Sequence, residues 1–239
     1  MTDHEVPGRE GLSAVSALGE PTRQAVYRYV AGAGGWVSRD QAADGVGLER
    51  GTAAHHLERL AGAGLLETEY RRVSGRQGPG AGRPAKLYRR ARRHFQVSLP
   101  PRDYELAGRL LAEAADRSRS DGTEITTALH DAARAEGRRL GDRIRSGLHG
   151  RAARRTADRQ RAALDALEEH GYEPVTEPDG TVVLRNCPFH QLARHHTELV
   201  CGMNHCLLDA AIETVGRTHL QARLAPHDSF CCVRLSPAP

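Results

Sequence analysis

Residues 38–64 read as two helices joined by a tight turn, and this local grammar constrains the fold more than any other part of the chain. Ser38-Arg39-Asp40-Gln41 has the form of a capping box, in which the serine oxygen accepts from the backbone N–H of Gln41 and the glutamine side chain reaches back. The helix it opens is short and closes near Gly45-Val46-Gly47. A following helix over about Glu49 to Ala63 puts Ala53, Leu57, Leu60 and Ala61 on its apolar face. Arg50, Thr52, His55, His56 and Arg59 lie elsewhere on its surface, and Gly64 ends it. Upstream, Pro21 suits the first position of a helix carrying Ala25, Val26, Tyr29 and Val30, which runs out at Ala31-Gly32-Ala33-Gly34-Gly35. Downstream, Leu65–Tyr70 and Ala85–Tyr88 read as two strands joined by the Gly- and Arg-rich stretch Arg71 to Pro84.

Charge is concentrated in the same region. Between Arg71 and Arg93 there are nine Lys or Arg residues and no acidic one, while the rest of the chain carries 25 basic against 30 acidic residues. A local basic stripe favours a polyanionic partner, because neutralising phosphates releases condensed counterions. Two helices around a glycine turn are also the geometry that lays the second helix in the major groove of DNA, with a strand pair and basic loop along the backbone. Thr52, His55 and His56 are therefore the expected base readers, with Arg50 and Arg59 on the same helix. Arg71, Arg72, Arg76, Arg83 and Lys86 are the expected phosphate contacts. The segments Ala17-Leu18-Gly19-Glu20-Pro21-Thr22-Arg23 and Gly82-Arg83-Pro84-Ala85-Lys86-Leu87-Tyr88 resemble the first helix and wing strand of ArsR-like winged-helix repressors.

From Pro100 to about Gly171 the pattern is helical. Tyr104, Leu106, Leu110 and Leu111 form one stripe, Ile125, Leu129, Ala132, Ala133, Leu140 and Ile144 a second, and Ala157, Leu164 and Leu167 a third. Narrow apolar stripes on wide polar faces suit helices that pair two subunits, so a homodimer is expected. Beyond Gly171, Glu173–Thr176 and Thr181–Arg185 flank the turn Pro178-Asp179-Gly180 as a hairpin. A short helical stretch at Asn186–His190, a helix over about Thr197 to Val215 and a last strand over Phe230–Leu235 follow. The expected architecture is mainly α with an α+β C-terminal domain. It comprises a winged helix-turn-helix over 12–95, a helical dimerisation region over 100–171 and a cysteine-rich sensor domain over 172–239.

All five cysteines, Cys187, Cys201, Cys206, Cys231 and Cys232, fall in the last 53 residues. No run approaches the roughly 18 apolar residues of a membrane span, and the start MTDHEVPGREGLSAV has neither a basic n-region nor an apolar h-region. A cytoplasmic protein with no membrane partner is expected, and there clustered cysteines more often bind metal or undergo redox chemistry than form structural disulfides. No Gly-rich nucleotide loop, paired acidic site or Ser/His/Asp motif suggests an enzyme.

Spacing separates the sulfurs. Cys201 and Cys206, five residues apart on a helix, diverge by about 140°, and Cys206 joins the apolar stripe of Leu199, Met203, Leu207 and Ala210 as a packed thiol. His205 shares the Cys201 face. Adjacent positions on a strand point to opposite faces, so only one of Cys231 and Cys232 is expected to bind a metal, and periodicity does not choose between them. Cys187, Cys201 and one of the final pair are thus available from three elements, without the paired C-x-x-C knuckles of a structural zinc site. An iron–sulfur cluster accepts such separated thiolates.

Asn186-Cys187-Pro188-Phe189, Glu198-Leu199-Val200-Cys201-Gly202-Met203-Asn204 and Cys231-Cys232-Val233 resemble the cluster-binding region of SufR-type regulators, which are ArsR-like iron–sulfur repressors. The resemblance implies a dimer that binds operator DNA, carries a cluster that is commonly 4Fe-4S and controls cluster-assembly genes. The ligands it implies are Cys187, Cys201 and Cys231 or Cys232. The fourth is open among His190, His195, His196 and His205, and Cys206 departs from the pattern. A zinc or thiol redox sensor of the ArsR-like superfamily is the alternative.

Overall fold

In the computed structural model, which describes residues 9–71, 84–150, 152–226 and 230–238, the chain divides between Val97 and Ser98 into two units. The first contains α1 (Arg9–Leu18), α2 (Pro21–Gly32), β1 (Val37–Ser38), α3 (Arg39–Val46), α4 (Arg50–Gly62), β2 (Leu66–Arg71) and β3 (Ala85–Arg90). Its helices start where the sequence supplies caps. The Glu20 carboxylate accepts from the backbone N–H of Thr22 at 2.8 Å and of Arg23 at 2.7 Å, and Pro21 occupies the first turn, where a missing N–H costs nothing. The expected capping box forms in both directions, Gln41 N–H to Ser38 Oγ at 3.2 Å and Ser38 N–H to Gln41 Oε1 at 2.8 Å. Gly47 then closes α3 at φ 72°, a left-handed conformation that favours glycine.

The first core gathers Val26 and Val30 of α2, Ala42 of α3, Leu57 and Leu60 of α4, and Leu66 and Tyr88 of the sheet. The sheet is antiparallel in the order β1-β3-β2, with Thr68 opposite Tyr88 and Val37 opposite Tyr88 on the other side. Two elements of this unit escape the sequence reading. Strand β1 is two residues long, too short for any periodicity, and α1 ends inside the segment Ala17–Arg23 that resembled a first helix, with Gly19 and Glu20 separating it from α2.

The second unit contains α5 (Tyr104–Asp121), α6 (Ile125–Gly147), α7 (Thr156–Glu169), β4 (Pro174–Thr176), β5 (Val182–Leu184), α8 (His190–His195), α9 (Thr197–Val215), β6 (Leu220–Leu224) and β7 (Val233–Pro237). Its sheet is antiparallel in the order β4-β5-β7-β6. The helices of 100–171 and the segments after 172 share one core: Leu110, Leu129 and Leu167 are buried with Leu184, Phe189, Met203, Leu208 and Leu235. The apolar stripes read as a subunit interface are thus filled largely from within the chain, because α9 covers α6.

That coverage depends on two glycines. A Cβ added at Gly137 would lie 2.1 Å from the Leu207 carbonyl oxygen, and one at Gly141 would lie 2.6 Å from that of Ala211. Four residues apart on one helix face, they let the two backbones touch. Gly108, in contrast, lies on an exposed part of α5 with open space around it. Gly137→Ala is therefore expected to destabilise the second unit by about 2 kcal/mol, whereas Gly108→Ala stabilises it by about 0.5–1 kcal/mol by lowering the entropy of the unfolded chain. Urea denaturation of both variants beside the parent checks the opposite signs.

Candidate functional site

Helix α4 presents Thr52, His55 and Arg59 at spacings of three and four, all exposed on one strip. The other two residues expected to read or flank bases are engaged elsewhere. The His56 side chain is only 12% exposed, with Nδ1 3.5 Å from the Glu20 carboxylate. Its position three after Ala53 and four before Leu60 turns it toward the core-facing flank rather than outward. Arg50 forks onto Asp40 of α3, with Nε 2.8 Å from Oδ1 and Nη2 bonded to Oδ2. It braces the turn between the helices, and its guanidinium in turn holds the Asp40 carboxyl below the usual range.

On the strands, Arg71 is exposed and bonded to Glu69 at 3.1 Å. Lys86 lies 2.7 Å from Oε1 of Glu58 on α4, beneath the rings of Tyr70 and Tyr88. Its charge is therefore already matched, a partnership that sequence reading missed because the two residues are 28 apart. Arg89 is matched in the same way, paired with Glu67 at 2.7 Å and stacked over Trp36. Arg72, Arg76 and Arg83 lie outside the described residues.

In the second unit, four of the five thiols converge. Cys187 follows β5, Cys201 sits in the second turn of α9, and Cys231 and Cys232 immediately precede β7. Each thiol acts on the ionisation of the next, Cys187 with Cys231, Cys231 with Cys232, and Cys232 with Cys201. The expected last strand over Phe230–Leu235 begins later, at Val233, and the alternation used to separate Cys231 from Cys232 loses its basis. Regular strand geometry starts at Val233, which pairs with Leu224, so the alternation that would send adjacent side chains to opposite faces does not apply one and two residues earlier. The Cys231 N–H binds the Leu184 carbonyl at 2.9 Å, and the Cys232 carbonyl accepts from Ala225 N–H at 2.7 Å, which fixes the bend.

All four thiols are buried. The bond to Cys231 and burial push the Cys187 thiol far above its ordinary value. The Cys187 bond lowers Cys231, but its bond to Cys232 and burial outweigh this and push it up to about 12. Cys232 is also pushed up to about 12, chiefly by its bond to Cys201 and by burial. Cys201, which that same bond favours as the anion, is lowered.

Cys206 lies apart. Burial raises its thiol, and its charged neighbours are Arg134, Asp209 and Asp131, in keeping with a packed role. His205 turns its Nε2 to the Ala222 carbonyl at 3.2 Å, and His195 and His196 are exposed. His190, half-buried at the start of α8, donates its backbone N–H to the Cys187 carbonyl at 3.0 Å. Among the described residues no three His, Cys, Asp or Glu side chains are grouped as a single metal ion requires. The thiols instead form a row.

Two sets of side chains that sequence reading left without a role hold this site. Arg102 donates to the Asn186 side-chain oxygen and, at 3.3 Å, to the Cys187 carbonyl, while Asn186 Nδ2 donates to the Pro101 carbonyl at 2.9 Å. Tyr172 and Asn204 form the second set, and the amide of Asn204 ends on Cys231.

Residues 18–69 match the family model of a helix-turn-helix domain, the ArsR type. The match spans α2, β1, α3, α4 and most of β2, and a DNA-binding transcription regulator is the class it defines. No curated protein and no solved structure matches the chain. Among the described residues no helix is long and apolar enough to cross a membrane.

Glu58 is the informative residue to change. Hydrogen bonds from Lys86 and then Tyr88 hold its carboxyl below the ordinary 4.5, so its stabilising effect is complete above that pH and disappears as pH falls through the lowered value. Glu58→Gln is expected to flatten the acid limb of the first unit's stability in a pH series of thermal melts. The same substitution releases Lys86, so binding to any duplex should tighten at low salt and the slope of log K against log salt should steepen by about 0.9. An unchanged slope in a fluorescence titration would show that Lys86 does not face phosphate.

Proposed function

We propose that the chain is a homodimeric DNA-binding repressor of the SufR type, whose affinity for its operator is set by an iron–sulfur cluster, commonly 4Fe-4S, held by Cys187, Cys201, Cys231 and Cys232. The observation that carries the reading is the row of four buried thiols, drawn from three separate segments, in a chain with a helix-turn-helix domain. The donor chemistry fits, since all four groups are thiols and an apolar shell keeps water from competing. When bound, the cluster supplies metal–sulfur bonds that oxidants or iron shortage remove, which suits control of cluster-assembly genes.

The chain's own residues supply the coupling. Segment 101–103 opens the second unit, a few residues beyond Val97, and it is bonded to the loop carrying Cys187: Arg102 to the Cys187 carbonyl at 3.3 Å, Asp103 N–H to the Pro188 carbonyl at 3.1 Å and Asn186 Nδ2 to the Pro101 carbonyl at 2.9 Å. Fixing Cys187 therefore fixes the segment that follows the DNA-binding unit in the chain. About 1–3 kcal/mol of such coupling changes affinity roughly 5- to 150-fold. Two subunits place their recognition helices on successive major grooves about 34 Å apart. Thr52, His55 and Arg59 face the bases, and Arg71, Arg72, Arg76 and Arg83 track the backbone, which Lys86 reaches only when it leaves Glu58.

A thiol redox sensor is the second reading, and the proximity of the thiols favours it, because Cys231 acts directly on the ionisation of Cys187. Anaerobic reconstitution with ferrous iron and sulfide, followed by iron and sulfide analysis, separates the two. The parent and Cys206→Ser are expected to retain both elements, whereas Cys187→Ser, Cys201→Ser, Cys231→Ser and Cys232→Ser each lose most of them, serine being a poor replacement for thiolate. Full loading of Cys187→Ser would overturn the ligand set. Equal operator affinity of loaded and unloaded protein at one salt concentration would overturn the sensing role.

A further inference from the structure

Asn204 is fully buried in the middle of α9. The residues one turn away on its side are Val200, Cys201, Leu207 and Leu208, so helix packing alone gives no reason for an amide there. Left unbonded, a buried amide costs about 1–3 kcal/mol. It is bonded at both ends: the Tyr172 hydroxyl donates to Asn204 Oδ1 at 2.7 Å, and Asn204 Nδ2 donates to Cys231 Sγ at 3.3 Å. Tyr172 is 2% and Cys231 1% exposed, so water takes no part.

The direction of this relay depends on the sulfur. A protonated thiol can donate, and the amide could then turn over, offering its oxygen to the sulfur and its N–H to the tyrosine oxygen. A thiolate or metal-bound sulfur only accepts. It requires the amide N–H to point at the sulfur and the carbonyl to accept from Tyr172. A hydroxyl, an amide and a sulfur in that order make a complete donor chain ending on negative charge, and each link is of ordinary length.

We propose that Asn204 is a positioning residue for the cluster, donating a hydrogen bond to the Cys231 sulfur through an amide that Tyr172 locks in place. The inference rests on the iron–sulfur reading of the same thiols. The bond steadies the sulfur at the bend before β7 and stabilises the extra negative charge of the reduced cluster, so it raises the reduction potential. Asn204 thereby sets how readily the site changes redox state, while the cysteines determine whether the cluster binds.

The test uses the full chain, reconstituted anaerobically with ferrous iron and sulfide, as the parent, Asn204→Leu and Tyr172→Phe. Leucine keeps the branched skeleton of the amide, although its methyls are bulkier, and phenylalanine removes one oxygen. Iron and sulfide contents are expected to match the parent. The midpoint potential from a spectroelectrochemical titration should move to more negative values in Asn204→Leu, and in the same direction by a smaller amount in Tyr172→Phe. Circular dichroism checks folding, and if Asn204→Leu does not fold, Tyr172→Phe carries the comparison. Potentials equal to the parent's, or more positive, in the folded variants would overturn the role of Asn204. A parent protein that takes up no iron and sulfide would overturn the cluster reading itself, and the two failures are distinct because the second appears before any variant is compared.

Discussion

The contact between α6 and α9 is made by backbone, and the cysteine site depends on it. Without side chains at Gly137 and Gly141, the Leu207 and Ala211 carbonyls come close enough that any Cβ would collide with them. Helix α9 carries Cys201 and Asn204, and its position brings the first beside Cys232 and the second beside Cys231. A shift of α9 by the width of a methyl group would move both residues off their partners. Interiors are close-packed and respond to such changes in discrete steps, so the glycine pair specifies the site even though neither glycine touches a sulfur.

How much of this was legible in the sequence follows from the range of each signal. The helix-turn-helix was readable because its determinants are local: the serine and glutamine of the capping box lie three residues apart, and Gly47 closes the helix they open. The cysteine motifs could be picked out for the same reason, as each is short. The last strand was read as beginning at Phe230, whereas β7 begins at Val233, so strand periodicity was applied to two cysteines that precede it. Strand β6 was overlooked although Leu220-Gln221-Ala222-Arg223-Leu224 alternates cleanly, with Leu220 and Ala222 buried. The amphipathic helices showed a face in need of cover. A stripe does not say whether its partner lies on the same chain, and here α9 supplies most of that cover. Tyr172 and Asn204 are 32 residues apart, and nothing local marks them as partners.

The basic stripe carries a related lesson about counting charges. Lys86 and Arg89 contribute to the sequence excess, yet Glu58 and Glu67 already neutralise them, and Tyr70, Tyr88 and Trp36 pack against their side chains. The first pair ties α4 to β3 and the second ties β2 to β3, each at the cost of charge available to a polyanion. Exposed pairs of this kind contribute little to stability, about 0–1 kcal/mol, so their larger effect is geometric.

The same logic of compensation governs the thiols. Four buried sulfhydryls bonded in a row satisfy one another only weakly, because S–H is a poor donor and sulfur a poor acceptor. The neighbouring thiols together with burial push three of them up, which keeps them protonated. A cation-bearing group that binds the folded form and not the unfolded chain replaces those weak bonds with metal–sulfur bonds, and by mass action its binding energy adds to the stability of the arrangement it selects. That energy falls on three segments otherwise joined by loops: the Cys187 loop, the start of α9 and the bend before β7. One of them, the Cys187 loop, is already bonded to the strap at 101–103. Order gained at the sulfurs therefore passes by hydrogen bonds, rather than by any long-range field, to the first residues after the DNA-binding unit.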